Sequence, residues 1–184
     1  KSSLMNKILG QKVAIVSSKP QTTRNRITGI YTSGDDQYVF LDTPGIHSPK
    51  NSLGQYMVKA ADTSMRDADA VVLVVDVTKD ISQVEENVMD YLKKSGIPSI
   101  LALNKIDTCD REVLAQTISK YAEKHSFDAF IPICAKKNKN VDDLMGECSK
   151  FLSESEWFFP DDMITDQPER QIVAEIIREK ILRT

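Results

Sequence analysis

Two short stretches carry residue types that could do chemistry. Asp42-Thr43-Pro44-Gly45 follows a strand-like run at 37–41, and Asn104-Lys105-Ile106-Asp107 follows another at 99–103. In the first, an acidic side chain and a glycine stand at the mouth of a buried strand. Asp42 can hold a Mg²⁺-bound water, and Gly45 can bring a bare backbone N–H against a phosphate oxygen. In the second, the Asp107 carboxylate is an acceptor pair that matches the N1–H and exocyclic N2–H₂ donors of guanine. Adenine has an acceptor at N1 and no amino group, and a site built on such bonds rejects the wrong base strongly. Asn104 can bond the imidazole side of the base and tie neighbouring loops together. Lys105 can lay its methylene stem over the ring face. D-x-x-G alone turns up by chance in many chains. A capped turn after a strand would explain Asn104 or Asp107 singly, but not the four-residue set. The two motifs lie about sixty residues apart, the spacing of one α/β half-domain. Together they point to a site that handles a guanine nucleotide and its phosphates.

Other residues fit the same chemistry. Lys1-Ser2 reads as the tail of a phosphate-binding loop, G-x-x-x-x-G-K-[ST], opening a helix. Lys1 would neutralise the β- and γ-phosphates, and Ser2 would ligate Mg²⁺, with Ser3 beside it at the phosphates. Residues 11–26 have little periodicity and read as a mobile loop. It is either a polar surface loop or a switch in which Thr23, with Thr22 as second choice, completes the Mg²⁺ shell when the γ-phosphate is present. Asp42 would act through a metal-bound water, and the Gly45 N–H would hold the γ-phosphate. Lys1, Thr23 and Gly45 are thus the residues expected to act on the reacting phosphate. Phosphoryl transfer asks mainly for positioning and charge neutralisation. No Gln follows Gly45 to position a water; Ile46 stands there, and His47 is a lone histidine of the kind that is more often incidental. Cys134-Ala135-Lys136 stands where such proteins carry Ser-Ala-Lys. The backbone N–H of Ala135, and that of Lys136, would reach the guanine O6; Cys134 departs from the usual Ser. The rest of the lysine-rich loop 136–140 reads as solvated surface.

The elements that position these residues are legible as hydrophobic pattern. Residues 1–9 read as a helix stopped at Gly10. Residues 27–32 and 38–41 flank a Gly/Asp turn and read as an antiparallel hairpin at one side of an otherwise parallel sheet. Residues 53–66 read as helical, after an irregular loop that would be a second switch. The β-branched run 70–75, ended by Asp76, reads as a central parallel strand. Ser82 with Glu85 makes a capping-box pattern for a helix over 82–95. A buried strand at 100–103, a helix over 112–124 with Val113, Leu114, Ile118, Tyr121 and Ala122 inward, a strand at 129–133 and a helix over 141–152 with Asn140 as cap complete the alternation. This is the pattern of an α/β doubly wound, mostly parallel sheet, whose ligands bind at the carboxyl ends of the strands. Asp42, Asn104 and Cys134 all fall at that edge.

The chain has 184 residues, enough for one ordinary domain and an appendage. Apolar residues are 41% and charged residues 28%, which describes a globular chain. No apolar run approaches the ~20 residues of a membrane span, and no signal peptide is evident. The net charge of −3 gives no basic footprint from which to argue nucleic-acid binding. Cys109, Cys134 and Cys148 are odd in number and widely spaced, which fits reduced cytosolic thiols better than disulfides or a zinc site. Residues 154–168 change character and read as a linker, with Trp157 expected as a buried anchor. Residues 168–184 read as a new helix with a broad apolar stripe, Ile172, Val173, Ile176, Ile177, Ile181 and Leu182, that nothing later in the chain covers.

The quoted motifs, with Gly10-Gln11-Lys12, Gln21-Thr22-Thr23-Arg24, Asp42 to His47 and the tail Ala174-Glu175-Ile176-Ile177-Arg178-Glu179-Lys180, resemble the Era family of bacterial GTPases, of the TrmE-Era-EngA-like superfamily. The resemblance covers the whole chain. It implies a P-loop GTPase domain at 1–153, a linker at 154–168 and, at 169–184, the first helix of a KH-type α+β RNA-binding domain. It implies slow hydrolysis of GTP to GDP with Mg²⁺, and, in some relatives, a K⁺ ion held by a phosphate-loop Asn. It also implies binding of small-subunit ribosomal RNA during assembly of the small ribosomal subunit, by a cytoplasmic monomer that can associate peripherally with the inner membrane. A hydrophobic residue after D-T-P-G, as Ile46 is, is usual in that family.

Two other readings compete. One is a non-catalytic ribosome- or RNA-interaction module that keeps the fold. The other is an ATPase on the same fold, which Asp107 disfavours. The phosphate-loop glycines, the strand before them and most of the KH-type domain do not occur in these 184 residues. The expectation is that the natural chain carries about twenty further residues at its N-terminus. A polypeptide starting at Lys1 is accordingly expected to be neither stably folded nor a tight GTP binder.

Overall fold

In the computed structural model, residues 1–16, 26–43, 63, 65 and 67–183 are described. The chain divides into two compact units, 1–67 with 153–184 and 68–152. The expected switch segments around Thr22, Thr23 and Gly45–His47, and nearly all of the expected helix over 53–66, lie outside the described residues. No described helix is long and apolar enough to cross a membrane.

The first unit is built on α1 (Ser2–Ile8) and an antiparallel hairpin of β1 (Ile27–Ser33) and β2 (Asp36–Asp42). Gly34, at φ +61°, supplies the left-handed turn residue. Met5 and Leu9 form a core with Val13, Ala14 and Ile27, against which Tyr31, Phe40 and Ile164 pack. Gly29 permits this close approach: a Cβ there would stand 2.9 Å from Leu9 Cδ1 and 3.0 Å from Met5 Sδ. Asn6 fastens the following segment. Its Oδ1 accepts the N–H groups of Val13 (3.0 Å) and Ala14 (2.9 Å), and its Nδ2 donates to the Ala14 carbonyl at 2.7 Å.

Residues 157–166 run along the hairpin. Ile30 N–H donates to the Ile164 carbonyl (2.8 Å), Thr165 Oγ1 to the Thr28 carbonyl (2.7 Å) and Gln37 Nε2 to the Phe159 carbonyl (2.9 Å). The first two bonds occupy backbone groups of β1 that would otherwise invite foreign pairing. Trp157 is not the buried anchor expected. It is 43% exposed and is held through its indole N–H, which donates to the Asp35 carbonyl at 2.9 Å. The last helix, α5 (Glu169–Arg183), leaves Val173, Ile176, Ile177 and Ile181 exposed, as its stripe suggested. Its one fully buried side chain among those described is Glu179, which pairs with Lys12 at 2.5 Å. The less exposed residues of α5 are a mixed set, Gln171, Ile172, Glu175, Arg178, Glu179 and Leu182, so only part of the apolar stripe faces out.

The second unit holds a three-stranded parallel sheet in the order β3 (Val71–Asp76), β4 (Ser99–Asn104), β5 (Ala129–Ile133). Ile100, Leu101, Ala102 and Leu103 are all fully buried, as a central strand covered on both faces requires. Pro132 is tolerated because β5 is an edge of this sheet. Around it run α2 (Gln83–Ser95), α3 (Arg111–Lys124) and α4 (Val141–Cys148). The expected capping box is present: Glu85 N–H donates to Ser82 Oγ at 3.3 Å and Ser82 N–H to Glu85 Oε2 at 2.6 Å. Gly96 at φ +69° closes the helix.

Three expectations differ here. On α3, Tyr121 is buried, but Val113 and Ala122 are exposed, Val113 because it borders an open cavity. α4 stops at Cys148 and tightens into a single 3₁₀ turn, Ser149–Phe151. Asn140 precedes α4 in the left-handed conformation and makes no side-chain cap; its Nδ2 donates instead to the Pro132 carbonyl at 2.8 Å.

A buried histidine, the residue after α3, packs against the start of β4. His125 Nε2 lies 2.9 Å from Ser99 Oγ, and its ring meets Phe127 edge-on, centroids 4.6 Å apart. Nδ1 is buried with no hydrogen-bond partner. Burial, and then the charge of Lys93, push the imidazole below its usual value, with Asp128 opposing. The unfolded chain therefore takes up this proton more readily than the folded one. The stabilisation from a neutral His125 is complete above the ordinary histidine value of 6.5 and is lost as the pH falls below it. Chemical unfolding between pH 5 and 8 should show stability rising with pH, with a flatter curve for His125→Gln. Parallel curves for the two proteins would remove His125 from the account.

Candidate nucleotide site

The expected site residues fall in both units, and each set is described within its own. In the first unit, α1 begins directly after Lys1, whose carbonyl accepts the N–H groups of Leu4 (2.8 Å) and Met5 (3.0 Å). Lys1 Nζ donates to Thr43 Oγ1 at 3.3 Å, and Ser2 Oγ donates to Asp42 Oδ2 at 2.6 Å. Asp42 is the buried last residue of β2, so strand and helix together deliver a hydroxyl and a carboxylate to one point. Ser3 is exposed in the first turn of α1. No group of three or more His, Cys, Asp or Glu side chains among the described residues could hold a metal. A hydroxyl beside one carboxylate, both oxygen donors, nonetheless fits a Mg²⁺ that takes its remaining ligands from water and phosphate.

In the second unit, the carboxyl ends of the parallel strands gather the base-reading residues. Asn104 ends β4, and its Oδ1 accepts the Ala135 N–H at 3.0 Å. Residues 134–139 form a tight loop closed by the Cys134 and Lys139 backbones, each N–H to the other's carbonyl at 3.1 Å. Asn104 therefore does tie two loops. The Ala135 donor expected for guanine O6 is engaged by that tie, and Lys136 stands exposed beside it.

Lys105 has φ +72°, in the left-handed region that non-glycine residues seldom occupy. Its carbonyl accepts both the N–H (2.9 Å) and Oγ1 (2.7 Å) of Thr108, which turns the chain into the 3₁₀ segment Ile106–Thr108 and presents Asp107. Cys134 Sγ donates to Asp107 Oδ1 at 3.1 Å, a bond that a serine hydroxyl in its place could also make. Lys137 Nζ lies 3.2 Å from Asp107 Oδ2, which removes that residue from the merely solvated surface. The hydrogen bonds from Cys134 and then Lys137 hold the Asp107 carboxyl below the usual carboxylate range, keeping it an acceptor. An open cavity of about 540 Å³ reaches Asp107 and is bordered by Val77, Thr78, Cys109 and Val113.

Two residues of this corner were not singled out in the sequence. Lys137 left no signal beyond a basic loop. In the sequence Asp76 marks only a strand end, yet its Oδ2 pairs with Lys105 Nζ at 2.6 Å. Burial would raise the Asp76 carboxyl, but bonds from Lys105 and Thr78 outweigh it and hold the group low.

A family model described as 50S ribosome-binding GTPase matches residues 1–105. A curated relative from Alkaliphilus metalliredigens, named GTPase Era, is 48% identical over 182 residues, which is 99% of this chain and 62% of that protein. A solved structure of Era with MgGDPNP and nucleotides 1506–1542 of 16S ribosomal RNA superposes with a TM-score of 0.92 at 39% identity, covering 97% of this chain and 61% of that one. A variant of Aquifex aeolicus Era bound to GDP·AlF4⁻ gives a TM-score of 0.91 at 39% identity, covering 97% and 62%. The chain thus spans about 62% of the length of the curated relative it matches.

Proposed function

Because the chain belongs to the GTPase family, and within it to the Era-type proteins, we propose that it binds guanine nucleotides and hydrolyses GTP to GDP and phosphate. The observation that carries the reading is the corner at Asp107. An ionised carboxylate is fixed by Cys134, and Asn104 is tied to Ala135 one loop away. That arrangement presents two adjacent acceptors to a base that offers N1–H and N2–H₂, and no other common purine does so.

In this reading Asn104 bonds the imidazole side of guanine, the Lys105 stem lies over the ring, and the Lys136 N–H serves O6. At the phosphates, Lys1 neutralises charge and Ser3 lies near by. Ser2 would ligate Mg²⁺, and Asp42 would hold it through a bound water. Mg²⁺, when bound, spreads the charge that develops on the β- and γ-oxygens. Thr23, Thr22 and Gly45, outside the described residues, are proposed to sense and hold the γ-phosphate.

The reading extends to coupling between nucleotide state and small-subunit ribosomal RNA during subunit assembly. It is supported by the relative bound to a 16S ribosomal RNA segment and by α5, read as the opening helix of a KH-type domain. Phosphate release from GTP by the full-length protein, with and without Mg²⁺ and with and without small-subunit ribosomal RNA, tests both parts. Release should need Mg²⁺ and respond to the RNA, and ATP should not compete. Nucleotide binding with no release under any condition would leave a non-catalytic RNA-interaction module.

A further inference from the structure

We propose that Asp76 is a positioning residue for the nucleotide site: its carboxylate, fixed by Thr78, holds the Lys105 ammonium and so lays the Lys105 stem where the guanine ring must sit. This rests on the reading of Lys105 as the residue that covers the base. Three features converge on it.

The first is register. Asp76 and Asn104 are paired at the carboxyl ends of β3 and β4, and the Val77 N–H continues the ladder to the Asn104 carbonyl at 3.1 Å. Asp76 is therefore one strand away from the residue that precedes Lys105. The second is that both backbone ends of the contact are rigid. Lys105 is held at positive φ by the two Thr108 bonds to its carbonyl. Asp76 Oδ1 accepts the Thr78 N–H (3.1 Å) and Thr78 Oγ1 (2.7 Å), the closed turn that an aspartate makes with its own chain two residues on.

The third is the division of labour on the carboxylate. Oδ1 is committed to Thr78 and Oδ2 is left for Lys105 Nζ, at 2.6 Å. A lysine stem with four rotatable bonds is the most freely moving part of the base corner. Anchored at Cα by the turn and at Nζ by Asp76, it has little freedom left to lose when a base arrives, and preorganisation of that kind appears as affinity. Thr78 also borders the cavity that reaches Asp107, so the turn and the base reader face the same space. The competing view is that this is a half-exposed ion pair of the sort that contributes nothing measurable.

A double-mutant cycle in the full-length protein separates the two. The affinity of a fluorescent GDP analogue and the melting temperature would be measured for wild type, D76N, K105A and the double variant. D76N keeps the size of the side chain and its acceptor toward Thr78. The expected result is that K105A weakens binding about tenfold and D76N about threefold to tenfold, with the double variant no weaker than K105A within about twofold. T78V, which leaves the ion pair but loosens its carboxylate, should fall between wild type and D76N, and T78S should restore wild-type affinity. If D76N weakens binding as much in the K105A background as alone, Asp76 acts on the fold and the proposal fails. Unchanged affinity in D76N, with K105A weakened, also overturns it while leaving the base site intact. If K105A itself binds normally, Lys105 does not cover the base, and the reading beneath the proposal falls with it.

Discussion

Replacing Asp107 by Asn is expected to turn the preference of the site from guanine to xanthine. The wild-type carboxylate is ionised and acceptor-only, with Cys134 donating to Oδ1 and Lys137 paired with Oδ2. Guanine brings donors at N1 and at the exocyclic N2, so both oxygens are used. An amide offers one acceptor and one donor. Its oxygen can keep the Cys134 thiol and one ring N–H, but its NH₂ then faces the guanine NH₂, donor against donor. It also faces the Lys137 ammonium, which has lost its counter-charge. Xanthine carries a C2 oxygen where guanine carries the amino group, and that oxygen accepts from the new amide. GTP affinity should fall on the order of a hundredfold to ten-thousandfold, the range for sites whose buried hydrogen-bond pattern is mismatched, while xanthosine triphosphate gains. Competition of the two triphosphates against a fluorescent guanine nucleotide measures it. A variant that still prefers GTP would show that Asp107 is not the base reader.

Most elements of this corner are legible in the sequence, because they rest on local rules. The buried run before Asn104, the capping box at Ser82 and Glu85 and the glycine stop at Gly96 depend on periodicity and on side chains bonding their own backbone within four residues. The same is true of the hairpin turn at Gly34. The residues that escaped are those whose role depends on contacts far along the chain. Asp76 and Lys105 are 29 residues apart, Lys137 and Asp107 are 30, and Lys12 and Glu179 are 167. Nothing in the local pattern of 136–140 distinguishes Lys137 from its neighbours. Nothing in the tail marks Glu179 as buried, because the apolar stripe of α5 is the more visible feature, and most of it faces out. Asn140 failed as a cap for a related reason: its side chain is drawn across to the Pro132 carbonyl, a partner on β5 that outbids the local one. Helical spacing places Val113 inward and cannot foresee an open cavity beside Asp107.

Asn104→Ala is expected to weaken every guanine nucleotide together, without changing which base is preferred. Two interactions depend on this amide. Its Oδ1 accepts the Ala135 N–H at 3.0 Å, and in the proposed complex the side chain also bonds the imidazole side of the base. Alanine leaves the buried Ala135 donor without its acceptor, a loss of about 1–3 kcal/mol, and removes a direct base contact of about 1 kcal/mol. Ala135 follows Cys134, whose thiol fixes Asp107, so slack in the 134–139 loop reaches the base reader as well. The unpaired Ala135 donor lowers the melting temperature, while the lost base contact and the slack at Asp107 should lower affinity for GDP and GTP about tenfold in parallel. Asn104→Asp keeps the oxygen acceptor and should recover the melting temperature, but not the affinity, because it puts a second negative charge beside the acceptor face of the base. The two readouts thus separate the tie between loops from the contact with the ligand. If Asn104→Ala folds normally and binds GDP within about twofold of wild type, Asn104 is only a strand-end residue and the base site must be sought elsewhere.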